Sequence, residues 1–229
     1  SNQIANVSID LIFAAPQESR AAWQADLRTA LQLPITHLST YALTFEKGTS
    51  FWSERLRGRL DGAGEEDELA MYLDAIEQAS DGGLAHYEIS SFAKPGFRCR
   101  HNLAYWQGHS WSAFGPGAAR FVRGVREVNH RSTTTYLRKV LSGQSPVAES
   151  EPLTLLQYAS ERAAFGIRMI DGVDLATIHQ DSGIDIETVR REAIETCKRH
   201  GWLNQHGTHY RLTPQGILMA DSVASAFLG

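Results

Sequence analysis

The sequence predicts an α/β fold: part of a parallel (β/α) sheet or barrel, then a mostly helical, winged-helix-like domain. Three observations carry this. Strand-like and helix-like stretches alternate as β-α-β-α-β over residues 7–90, and a strand–helix–strand unit implies parallel pairing. Three parallel strands alone leave a long unpaired edge, so further strands are expected on a segment preceding this chain. After the polar, proline-terminated stretch Ser142-Gly143-Gln144-Ser145-Pro146, the pattern becomes helices with one small hairpin. The expected domains are residues 1–145 and 146–229.

Ser1-Asn2 reads as a cloning remnant. Val7 to Phe13 is β-branched and apolar, the pattern of a buried parallel strand. Its alternation puts Ser8, Asp10 and Ile12 on one face and Ile9, Leu11 and Phe13 on the other. Asp10 therefore has two readings: a structural hydrogen bond to a loop, or a polar group at a barrel mouth that holds ligand hydroxyls. Glu18 to Gln32 is a helix with Trp23, Leu27 and Leu31 on one face. Ile35 to Thr44 gives the second strand, and Thr44 to Thr49 the loop at its carboxyl end, where ligands bind in such folds. Glu65 to Ser80 is a helix expected to bury Leu69, Tyr72, Leu73 and Ile76, with Gly82-Gly83 as its stop. Ala85 to Ser90 is the third strand.

A hairpin is expected from Ala118–Val122 and Arg126–Asn129, then a short helix over Thr133–Leu141. Leu153 to Arg168 is helical with Leu156, Ala163 and Ile167 inward. Asp174–Asp181 and Asp185–His200 are further helices, and Leu203 and Tyr210–Leu212 two short strands. Thr213-Pro214 opens a final helix to Phe227. A winged helix can bind DNA. Here Arg190, Arg191, Lys198, Arg199 and His200 are offset by Glu187, Glu192 and Glu195, so the helix lacks a net basic face.

Composition narrows the classes. Net charge is −4, which argues against nucleic acid and anionic membrane as partners. No apolar run reaches membrane-spanning length and no signal peptide is visible, so a cytoplasmic protein is expected. Two cysteines, Cys99 and Cys197, make no disulfide framework and cannot supply a four-thiolate metal or iron–sulfur site. No phosphate loop or nucleophile elbow is present, and no pair of the nine histidines has helical metal spacing. Cys99 and His101 are a weak metal pair at most.

The chemistry-rich stretch is Cys99-Arg100-His101-Asn102-Leu103-Ala104-Tyr105-Trp106, followed by Phe114-Gly115-Pro116-Gly117. An imidazole, an amide and two aromatics between a strand and a glycine-rich loop suit a flat apolar ligand with a metal or polar centre. In the alternative reading, Tyr105 and Trp106 are core anchors and His101 bonds a backbone carbonyl.

Four segments resemble the HemN/HemW group of radical S-adenosylmethionine proteins. Asp10-Leu11-Ile12-Phe13-Ala14-Ala15-Pro16 is similar to its D-L-I-x-G-x-P strand, with Ala14 where the group has glycine. His37 to Thr49 resembles H-[IL]-S-x-Y-x-L-T-x-E-x-G-T. His86 to Gly96 resembles H-Y-E-I-S-N-[FY]-[AS]-x-P-G, with Ser91 for asparagine. His101-Asn102-Leu103-Ala104-Tyr105-Trp106 is similar to the H-N-x-x-Y-W signature of the haem-chaperone branch.

The resemblance implies a partial radical-S-adenosylmethionine barrel. It implies a parent that holds a [4Fe–4S] cluster on C-x-x-x-C-x-x-C and binds S-adenosylmethionine. By it, Asp10 and Thr44 contact S-adenosylmethionine, and His101, Asn102, Tyr105 and Trp106 serve haem, with His101 a possible ligand. The implied function is binding haem and passing it to an acceptor protein. The alternative is oxygen-independent oxidative decarboxylation of coproporphyrinogen III. The cluster cysteines are absent from these residues, so this chain alone is expected neither to hold the cluster nor to be active.

Overall fold

A computed structural model describes residues 4–229; the Ser1-Asn2 pair lies outside the described residues. The chain divides into two compact units after Cys99.

The first unit runs β1 (Ser8–Phe13), α1 (Arg20–Leu31), β2 (His37–Ala42), α2 (Ser50–Leu56), α3 (Glu65–Asp81), β3 (Ala85–Glu88) and β4 (Ser91–Ala93). These form a four-stranded sheet in the order β1-β2-β4-β3. β1 and β2 pair in parallel, as expected. β3 does not extend the parallel ladder, which corrects the sequence reading. β4 lies between β2 and β3 and pairs antiparallel with both. The cause is a tight turn at Ile89-Ser90. The Ile89 carbonyl accepts from Tyr72 Oη at 2.7 Å and from His86 Nε2 at 3.1 Å, which holds the reversal in place. No barrel closes among the described residues, and β1 and β3 are the edges of the sheet.

β1 is not buried on both faces. Ser8, Asp10 and Ile12 are exposed, while Ile9 and Leu11 are half-buried and Phe13 is buried. The inward residues join Trp23, Leu27, Leu38, Met71, Ala75, Ala79 and Phe92 in one core. Fully burying each large side chain contributes roughly 1.5–3 kcal/mol. The buried stripe of α3 is Met71, Asp74, Ala75 and Ala79; Leu69 and Leu73 are exposed. Small residues at 75 and 79 let α1 and α3 approach closely, and Trp23 Nε1 donates to the Met71 carbonyl at 2.8 Å. Asp74 is tolerated in that stripe because Arg20 grips it with two bonds of 2.7 Å and Gln24 adds one of 3.0 Å.

The second unit begins with α4 (Arg100–Trp106), then β5 (Ala119–Val122), β6 (Val125–Asn129), α5 (Thr133–Leu141) and β7 (Val147–Pro152). The predicted hairpin is β5–β6, turning at Arg123-Gly124, and β7 adds a third antiparallel strand. The turn at Ser142–Pro146 leads directly into β7. There follow α6 (Leu155–Gly166), β8 (Val173–Asp174), α7 (Leu175–Ser182), α8 (Ile186–Val189), α9 (Arg191–Arg199), β9 (Leu203–His206), β10 (His209–Leu212), α10 (Pro214–Leu218) and α11 (Ala220–Leu228). Helices feeding a three-stranded sheet of order β8-β10-β9 make the winged-helix-like part.

α6 opens with a capping box between Thr154 and Gln157 and buries Ala163 and Ile167, whereas Leu156 is exposed. The helix predicted over Asp185–His200 is broken at Arg190. Its guanidinium turns back to the Phe227 and Leu228 carbonyls and to Ser160 Oγ. The final helix is broken at Met219, because α10 packs on β10 while α11 packs on α6.

Two outcomes follow from this packing. Asp74→Ala should lower stability by about 1–3 kcal/mol in urea melts, with Arg20 half exposed moderating the loss. The Arg20 guanidinium holds the Asp74 carboxyl below its ordinary range. A carboxyl lowered on folding adds stability above its unfolded pKa, so this contribution should vanish as pH falls through the lowered value. Gly172 has φ +84°, and a Cβ there would sit 2.2 Å from the Tyr210 carbonyl oxygen. Gly172→Ala should therefore cost about 1–3 kcal/mol and loosen β8 from β10, read by amide exchange at Tyr210.

Candidate functional site

Because β1 commits its apolar residues to the core, its polar residues share the other face with those of β2. Ser8 pairs with His37, Asp10 with Ser39, and Ile12 with Tyr41. His37 and Ser39 pair onward with Ala93 and Ser91 of β4. A hydrogen-bonded chain crosses this face. Ser8 Oγ lies 2.9 Å from His37 Nδ1, His37 Nε2 lies 2.8 Å from Tyr87 Oη, and the Cys99 N–H donates to that phenol at 3.3 Å. His37 and Tyr87 are buried, whereas Ser8 and Asp10 are open to solvent. Burial pushes the His37 imidazole below its ordinary pKa, with nearby Asp10 pulling weakly the other way. Burial likewise raises the Tyr87 phenol. Both groups are thus neutral near pH 7.

Asp10 is an exposed carboxylate, suited to accept hydrogen bonds from ligand hydroxyls. Thr44 is exposed, two residues past the carboxyl end of β2. Sequence reasoning assigned no role to His37 or Tyr87. The signal was there in part, since Ser8 shares the face of Asp10 and His37-x-Ser39 alternates in step with it.

In the second unit, α4 separates the four residues of the H-N-x-x-Y-W signature. His101 is exposed and lies edge-on to Tyr105, with ring centres 4.9 Å apart. Tyr105 continues to Trp111 at 4.2 Å, and Trp111 to Phe121 at 5.3 Å. Asn102 is half-buried. Trp106 leaves from the other side of the helix. It packs edge-on against Phe165 at 6.4 Å, beneath the Arg168 guanidinium at 5.4 Å. Its indole nitrogen is buried without a hydrogen-bond partner among the described residues. A cleft of about 330 Å³ runs beside it, lined by His109, Arg162, Met169 and Asp174. The structure therefore gathers His101, Tyr105 and Trp111 into one aromatic face and places Trp106 in the packing against α6.

Cys99 is half-buried and Cys197 buried, both free. Two thiols cannot meet a three-cysteine cluster motif, so the residues present do not fit a [4Fe–4S] site. Among the described residues no group of three metal-ligating side chains comes together, and no helix is long and apolar enough to cross a membrane. On α9, Lys198 pairs with Glu195 at 2.8 Å, which blunts the basic face further.

Comparison with known proteins fits this layout. The HemN C-terminal domain family matches residues 153–219. A protein named heme chaperone HemW from Mycobacterium tuberculosis is 33% identical over 98% of this chain and 55% of its own length. Its namesake from Bacillus subtilis is 30% identical over 98% of this chain and 59% of its own. The solved structure of coproporphyrinogen III oxidase (HemN) from Escherichia coli, a radical SAM enzyme, superposes with a TM-score of 0.76. That superposition covers 96% of this chain and 54% of HemN at 15% identity, which speaks for the fold alone. The chain belongs to the HemN/HemW group. It spans somewhat over half the length of these HemW relatives.

For a HemN/HemW chain, the two sides of α4 predict different mutational behaviour. His101→Ala removes an exposed ring and should change stability by no more than about 0.5 kcal/mol. Trp106→Ala removes a ring packed on α6 and should cost about 1–3 kcal/mol in the same urea melt.

Proposed function

We propose that this chain is part of a haem-binding protein of the HemW type, which takes up haem and hands it to an acceptor protein in the cytoplasm. What supports the reading is the near-complete coverage of this chain by relatives named heme chaperone HemW. The aromatic face of exposed His101 and half-buried Tyr105 and Trp111 is chemically suited to it. An accessible imidazole can ligate iron, and the adjoining rings offer a surface for a flat macrocycle. Asn102 lies on the same helix as a half-buried amide. Trp106 holds that helix to α6.

In the parent protein, Asp10 would accept hydrogen bonds from the ribose of S-adenosylmethionine, with Thr44 in the adjoining loop. The cluster would be held by cysteines outside these residues and would supply the electron that cleaves the bound cofactor. Residues 146–229 would act as the winged-helix-like C-terminal domain. The oxidase reading draws on the HemN fold, but several relatives that align over nearly the whole chain carry the chaperone name, so the chaperone reading stands first.

The test is a hemin titration of the full-length protein. A Soret band should grow to saturation, and His101→Ala should weaken it several-fold without changing the melting curve. An unchanged titration would remove His101 as the ligand. Carbon dioxide release from coproporphyrinogen III by the reconstituted full-length protein would favour the oxidase instead.

A further inference from the structure

We infer that Ser8 is a ligand-facing hydrogen-bond donor, aimed by the buried His37–Tyr87 pair, and that with Asp10 it forms a donor–acceptor pair for a vicinal diol. This rests on the reading of Asp10 as a ligand contact and adds a second contact with its own positioning residues.

The argument follows the protons. The Tyr87 side chain is fully buried. Its phenol carries a proton near neutral pH, because burial raises its pKa. A buried O–H without an acceptor costs about 1–3 kcal/mol. The Cys99 N–H is itself a donor to this oxygen and cannot take the proton. Ser91 Oγ lies near the phenol but makes no bond of hydrogen-bond geometry. The acceptor at 2.8 Å is His37 Nε2. Nε2 must then carry its lone pair, so in the neutral ring the proton sits on Nδ1.

Nδ1 faces Ser8 Oγ at 2.9 Å and donates to it. With one lone pair occupied from behind, the Ser8 hydroxyl has its own proton free. Ser8 is exposed, so that proton points to the open side of the sheet. The chain of donation thus runs one way: Cys99 N–H to Tyr87, Tyr87 to His37, His37 to Ser8, Ser8 outward. Asp10, two residues along the same strand and also exposed, offers only acceptors. A donor and an acceptor side by side on one strand face match adjacent hydroxyls, one accepting from Ser8 and one donating to Asp10. Ribose has that arrangement.

Two measurements test this. The first uses the present chain. Nitrogen-15 NMR of His37 near neutral pH should show the Nδ1–H tautomer, and Tyr87→Phe, which keeps the ring but removes the donor, should abolish the preference. An Nε2–H tautomer in the unmodified chain would overturn the inference whatever the parent protein binds. The second uses the reconstituted full-length protein with S-adenosylmethionine as probe. Ser8→Ala should weaken binding roughly 3–10-fold, and Ser8→Thr should restore most of it. The Ser8→Ala penalty should also disappear against an analogue lacking one ribose hydroxyl. If Asp10→Asn weakens binding and Ser8→Ala does not, the Ser8 contact is wrong while the Asp10 reading survives. If neither substitution matters, the Asp10 reading fails as well.

Discussion

The organisation of the first unit depends on one constraint: β1 must bury every second residue. Ile9, Leu11 and Phe13 face α1 and α3, where Trp23, Leu27 and Met71 exclude water. The residues between them have no choice of side. Ser8 and Asp10 therefore share a face with His37 and Ser39, and a polar array is assembled as a by-product of core packing. A shift of one residue in register would bury the carboxylate and expose the phenylalanine. The hydrophobic pattern thus protects the chemistry of the opposite face.

Much of this could be read from the residues. The alternation in Val7 to Phe13 places Ser8 and Asp10 together, and the hairpin at Arg123-Gly124 and the helix start at Thr213-Pro214 are plain in sequence. What escaped had non-local causes. β4 exists because Tyr72 and His86 hold the Ile89 carbonyl, a contact between a helix and a turn that no local pattern announces. On α3, Tyr72 and Ile76 pack against the core as expected, but Asp74, a polar residue, is also buried there because it is paired with an arginine 54 positions earlier. Leu69 and Leu73 look like core residues by type, but they lie on the side of the helix that faces solvent. The link between His37 and Tyr87 spans 50 residues and needed the sheet to be folded before it could be seen.

The six-residue signature His101 to Trp106 shows how a compact motif divides its labour. Its first and fifth positions are on one side of α4, where Tyr105 leads on to Trp111. Its sixth is turned toward α6. The family resemblance groups all four polar and aromatic residues as one haem set, whereas spacing leaves ligand contact and core anchor open. The helix geometry separates the exposed His101 and half-buried Tyr105 from Trp106, which packs against Phe165.

Arg190 breaks a predicted helix so that its guanidinium can reach the Phe227 and Leu228 carbonyls. Those acceptors come from the last turn of the chain described here. Unwinding that turn would leave the guanidinium with Ser160 Oγ as its remaining named contact. The break between α8 and α9 is thereby tied to the last turn of α11, so a disturbance of that turn would be felt 37 residues earlier in the chain.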